Sequence, residues 1–311
     1  MDTKMHNKEL VKADIGKNMR QYTMCGVLIV LTVAFAILTN GTFVSARNVS
    51  NIFLQTSALA IAAIGVSLVL VAGHIDLSIG SCVGLTGALA ATLMVNAHWS
   101  TVPTVLLTLV VGALIGCWQG FWVAYRKVPS FIVTLAGSLV FRGIVLGITN
   151  GATIAPCTDA FKAIGQNYIP SLFADSKTAG FNDTAIIFGL LICFIYIAES
   201  LRRRRSRREY ELSVIPMSFQ IVKFVVLCVI ALGISLLLSV NNGIPYALLI
   251  VMILAVIFSV VSTMTPFGRH IYSIGGNPDA ARLSGINIKK TIFLLFVIMG
   301  IMSAKIGRAH V

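Results

Sequence analysis

Apolar residues in this chain come in long unbroken runs separated by short polar stretches, without the two-residue alternation of half-buried strands. The runs cover 22–40, 52–72, 79–97, 102–125, 131–149, 184–198, 219–240 and 246–265. A ninth opens at Thr291 and breaks off near Ala304. Crossing about 30 Å of hydrocarbon takes about 20 helical residues. Inside a bilayer every backbone N–H and C=O must be paired within the protein, so continuous runs predict helices where alternation would predict a barrel. The pattern predicts an all-α polytopic transmembrane helix bundle, with about eight or nine spans present, the last of them C-terminally truncated near Ala304. The first run is too long for a signal peptide and lacks a small-residue cleavage site, so it reads as a span.

Composition agrees. Of the 311 residues 57% are hydrophobic and 11% charged, against roughly 25% charged in a soluble domain. Five cysteines (Cys25, Cys82, Cys117, Cys193, Cys228) lie in apolar runs and Cys157 lies in a loop. With no CxxC and no Cys/His cluster they read as small hydrophobes, and no metal site is expected.

The net charge of +13 suggests nucleic acid until its placement is considered. Lys4, Lys8, Lys12, Lys17 and Arg20 precede the first run. Arg126 and Lys127, the arginines of 202–208, and Arg269, Arg282, Lys289 and Lys290 fall in every second loop after it. The opposite loops hold only Arg47, Lys162 and Lys177. Positive charge marks the cytoplasmic face, so the N-terminal tail 1–21 is expected in the cytoplasm. The basic run at 201–209 reads as a stop-transfer anchor or as a contact for anionic lipid, and no nucleic-acid partner is expected. The opposite face carries one long connection, 150–183, which reads as a structured loop or short surface helix or as a plain mobile loop.

A few polar residues at membrane depth need a reason. His74 and Asp76, in the stretch Gly73-His-Ile-Asp-Leu-Ser78, join two runs with almost no spacer, and charges there are costly. Either they line a gate or polar path, or Asp76 or Ser78 caps the next helix. Arg142 sits within the run 131–149. Either it pairs with Asp76 or shares one water-filled cavity with it, or it snorkels to an interface. Asn51, Gln55 and Thr56, where the second run begins, offer hydrogen bonds to a polar solute or between helices. Gly112, Gly116 and Gly120 repeat every four residues, as do Gly80 and Gly84. Small residues at that spacing let helices approach closely in a bundle or dimer face.

The loop 266–290 carries the most specific chemistry. Asn277 reads as an N-cap, Pro278 as a first-turn residue and Asp279 as a charge favourable at the N-terminal dipole. Ala280, Ala281 and Leu283 continue a short helix and Gly285 ends it. Such a helix, exposed between two spans, has the shape of a docking element or of an idle loop helix.

Asp279-Ala-Ala-x3-Gly285 resembles the EAA-x3-G signature of the permease subunits of bacterial ABC importers, with Asp for Glu. The wider string GRHIYSIGGNPDAARLSGI, GHIDLSIGS at 73–81 and FRG at 141–143 are similar to the branch that carries ribose, xylose, galactose and arabinose. The long outer connection and the added basic loop look most like the xylose or multiple-monosaccharide type. The resemblance implies that Asn277, Pro278, Asp279, Ala280, Ala281, Arg282 and Gly285 form the helix that couples to an ATP-binding subunit. It implies a permease domain over 22–304 in the bacterial inner membrane. The implied partners are a cytoplasmic ATPase holding ATP-Mg, a periplasmic sugar-binding protein, a second permease copy, membrane lipid and the monosaccharide itself. With no GxxxxGK[S/T] loop, no cofactor and no catalytic residue are expected on this chain, which is not an enzyme by itself. The tentative translocation path is Asn51, Gln55, His74, Asp76, Ser78 and Arg142. An ion-coupled secondary transporter, which favours several intramembrane acids and inverted repeats, and a membrane receptor or scaffold are the rival readings. The last seven residues, 305–311, read like a translated sequencing adapter and are expected to be non-native.

Overall fold

The computed structural model describes residues 16, 19–155, 158–173, 180–210 and 216–306. Its helices are α1 (Met19–Leu38), α2 (Ala46–Val71), α3 (Ile79–Val95), α4 (Thr101–Ala124), α5 (Ser130–Thr149), α6 (Asp159–Gln166), α7 (Asp183–Glu209), α8 (Met217–Asn241), α9 (Tyr246–Met264), α10 (Pro266–Gly276), α11 (Pro278–Leu283) and α12 (Ile288–Ile306). Every apolar run falls on one of them. Among the described residues, α2, α4, α5, α7, α8 and α9 are long and apolar enough to cross a membrane, while Thr23–Leu38 and Ile79–Val95 are apolar but shorter. Most of the tail 1–21, the middle of the outer connection and residues 307–311 lie outside the described residues.

The chain forms two compact units. One comprises residues 1–52 and 168–244. Its α7 and α8 run side by side, with Gly189 against Ser235 and the rings of Tyr196 and Phe224 edge to face at 5.8 Å. Asn182 pins the start of α7. Its backbone N–H donates to the Ser239 carbonyl at 2.9 Å and its Oδ1 accepts from Ala185 N at 3.3 Å, the N-cap bond. Contrary to the loop expected for the basic run, α7 continues through all six arginines. Arginine is a good helix former, and Glu199–Arg203 and Arg205–Glu209 pair one turn apart.

The other unit comprises residues 53–167 and 245–311 and has its core where α2, α4 and α12 meet. Val69 and Phe296 are wholly buried there. The closest seam is α4 on α12. A β-carbon at Gly112 would meet the Gly300 carbonyl at 2.5 Å, and one at Gly116 would meet the Phe296 carbonyl and Val297 Cα. Gly300 faces the Gly112 carbonyl in return. The four-residue glycine repeat of α4 is therefore a packing face within the chain. The short surface helix is one of the forms expected for the outer connection, and α6 takes it, burying Phe161 against Ala90, Ala91 and Met94.

Candidate functional site

The docking helix forms as its residues dictate. Asn277 Oδ1 accepts from Ala280 N at 3.0 Å, Pro278 opens the first turn of α11, and Asp279 lies in it. At the far end Gly285 N donates to the Arg282 carbonyl and Ile286 N to the Ala281 carbonyl, each at 3.1 Å. These two bonds make a Schellman motif, which needs a left-handed residue, and Gly285 supplies it with φ of +81°. Ala281 is buried, while Asp279, Arg282 and Leu283 face outward.

Sequence reading missed what mounts this helix. Residues 266–276 are themselves helical, with Pro266 in the first turn and the Thr265 hydroxyl accepting from Gly268 N at 3.2 Å. Ile271 and Ile274 on this α10 are buried. Gly275 lies so close to the Val71 carbonyl at the end of α2 that no β-carbon fits. The signal was present in Thr265-Pro266 as a cap and first turn. Behind α11, Asn287 caps α12 by accepting from Lys290 N at 3.0 Å.

The Gly73–Ser78 stretch is an extended segment whose polar groups are met from α4 and α5. Gly73, at φ +80°, closes α2. Ile75 N donates to Ser130 Oγ and Leu77 N to Thr134 Oγ1, each at 3.1 Å. Asp76 Oδ1 accepts from Ser78 N at 2.8 Å and from Ser78 Oγ at 2.7 Å, and Gln119 Nε2 donates to Ser78 Oγ at 2.7 Å. Neither cap reading is met in full: Asp76 holds the N–H of Ser78, the residue just before α3, and the Ser78 side chain makes no cap bond. The His74 ring lies edge-on to Phe296 at 6.1 Å. Gln119, almost wholly buried, was not singled out from sequence because its partner lies 41 residues away.

The proposed Asp76–Arg142 pair is not formed. Asp76 sits beside the first turn of α5, held through Ser130 and Thr134. Arg142 lies eight residues beyond Thr134, about 12 Å along the helix, and is exposed. Asn51 and Gln55, one turn apart on α2, are exposed as well. The structure thus brings His74, Asp76 and Ser78 together, with Arg142 apart from them.

The turn at Gly73, the turn at Lys127–Phe131 and the stretch from Asp279 to Ile292 surround one cavity of about 890 Å³. Among the described residues no group of three or more His, Cys, Asp or Glu side chains could hold a metal ion.

Residues 48–308 match the family model for the branched-chain amino acid transport system / permease component. Xylose transport system permease proteins of Haemophilus influenzae and Escherichia coli K12 are each 41% identical over 290 residues, 93% of this chain. The match covers 74% of the first relative and 71% of the second. A ribose import permease protein of Haemophilus influenzae is 29% identical over 281 residues, 90% of this chain and 66% of that relative. No solved structure matches the chain.

Proposed function

The chain belongs to this family of transport-system permease components, and on that premise we propose that it is the membrane-spanning subunit of an ATP-driven monosaccharide importer of the xylose type. The identity of 41% to xylose permeases over 93% of the chain carries the reading, set against 29% to a ribose permease. The capped α11, mounted on α10, supports the coupling role. An ATP-binding subunit would grip Asn277–Gly285, and the end of α2 would move with it because Gly275 leaves no slack against Val71. Gly73–Ser78 follows directly on that helix end, so motion of α11 reaches His74 and Asp76 through two contacts. Alternating access then runs between two permease copies, with sugar handed over by a periplasmic binding protein and ATP-Mg held by the ATPase. The charge distribution supports a cytoplasmic N-terminus in the bacterial inner membrane. The exposed Gln55 and Arg142 are side chains through which the path would meet sugar hydroxyls.

The test is uptake of labelled xylose, ribose, galactose, arabinose and glucose into vesicles holding the chain, an ATP-binding subunit and a binding protein from the same genome. Xylose uptake that requires ATP is the expected result. Uptake driven by an ion gradient without ATP would move the chain to the secondary transporters.

A further inference from the structure

Beside α11 lies a cavity with an uneven charge arrangement. Its volume of about 890 Å³ lies in the roughly 300–1,000 Å³ range of small-ligand sites. Its wall is apolar at Val123 and Ile292, both buried. Lys127, Arg282 and Lys289 line it against a single carboxylate, Asp279. Among the described residues none of these three cations makes an ion pair or a side-chain hydrogen bond.

Lys127 is the more telling because of its backbone. It closes α4 with φ of +57°, while Val128 N donates to the Trp122 carbonyl at 3.1 Å. Glycine is the usual occupant of that position, since a β-carbon is disfavoured there. A lysine keeps an ammonium at the cavity where the easier residue would leave none. Three cations against one carboxylate leave the cavity with net positive charge, and Arg with Lys is the pairing that recognises phosphate. The acid has a use in the same ligand: Asp279 can only accept, so it takes hydroxyl protons. Asn287 spends its Oδ1 on Lys290 N and keeps its Nδ2 protons to donate.

We propose that this cavity binds the phosphate ester of a polyol, the chemistry shared by a glycerophospholipid headgroup and a sugar phosphate. The phosphate sits among Lys127, Arg282 and Lys289, and the hydroxyls face Asp279 and Asn287. A ligand so placed lies beside the docking helix and would bias its movement.

Calorimetric titration of the purified full chain in detergent tests this with four probes: glucose 6-phosphate, dihexanoylphosphatidylglycerol, inorganic phosphate and glucose. Saturable binding of at least one ester is expected, with no heat from glucose. Lys127→Gln with Lys289→Gln should weaken that binding about tenfold or more, as expected for losing charged contacts, while Lys127→Arg with Lys289→Arg retains it. Binding of the sugar phosphate alone points to a cytoplasmic source, and binding of the lipid to the membrane; each supports the proposal. No binding of either ester, binding of inorganic phosphate alone, or an affinity indifferent to the glutamine pair would overturn it. No ATPase is present in this titration, so a failed uptake experiment would leave its outcome standing.

Discussion

α3 and α4 carry the same small-residue spacing and put it to different use. On α4, Gly112, Gly116 and Gly120 lie against the backbone of α12, so close that an added β-carbon would overlap carbonyl groups. On α3, Gly80 and Gly84 are exposed, and an added β-carbon would meet nothing within 4 Å. The pattern tells of a backbone able to be approached closely. Whether anything approaches depends on a partner face, and that face belongs to another part of the chain. Gly300 supplies it for α4, where it nests against Gly116 and the Gly112 carbonyl.

The largest effect is expected where the seam is tightest. Gly116→Val places three carbons where the Phe296 carbonyl already stands and Val297 Cα is 2.7 Å from the first of them. Neither obstacle is a side chain that can swing aside. The helices must part, and overpacking of this kind costs about 3 kcal/mol. Titrating the detergent-solubilised chain with sodium dodecyl sulfate and following its helix signal measures the loss. Wild-type stability in that titration would mean that α4 and α12 do not meet as described.

A glycine limited by conformation instead of space should respond less and elsewhere. Gly285 has open room for a β-carbon, yet its φ of +81° is left-handed. Gly285→Ala adds local strain of about 1–2 kcal/mol and loosens the end of α11 without touching the seam. Global unfolding should shift little, while proteolysis within 277–286 speeds up and ATP-coupled uptake falls. Equal damage to both glycines in the unfolding titration would erase the distinction between a filled seam and a strained turn.

What could be read beforehand follows the range of the interaction. The apolar runs and the caps of α11 depend on residues within a few positions of one another, and both came through: Asn277, Pro278 and Gly285 do what their chemistry asks. The continuation of α7 through its arginines is local too: a charged run suggests a loop, while its Glu–Arg spacing favours helix. The polar network of Gly73–Ser78 was half visible. Asp76 and Ser78 stood out, but Gln119, Ser130 and Thr134, which satisfy the segment, come from α4 and α5. Pairing Asp76 with Arg142 failed for the same reason, since only the docking of the segment on the first turn of α5 reveals the intervening helix length.

The smallest effect is expected on α3, and it separates the two stripes most directly. Gly84→Ala adds one methyl to an exposed helix position with nothing to strike. Glycine in a helix interior costs roughly 0.5–1 kcal/mol relative to alanine, so the isolated chain should be unchanged or slightly more stable in the same detergent titration. Gly80→Ala should behave alike, and the double substitution should remain additive because each methyl points into open space. If a second permease copy packs on this face, the alanines will weaken only the assembled form, seen as dissociation on dilution while the monomer keeps its stability. A monomer destabilised by either alanine would contradict the open face of α3 and put its stripe in the same class as that of α4.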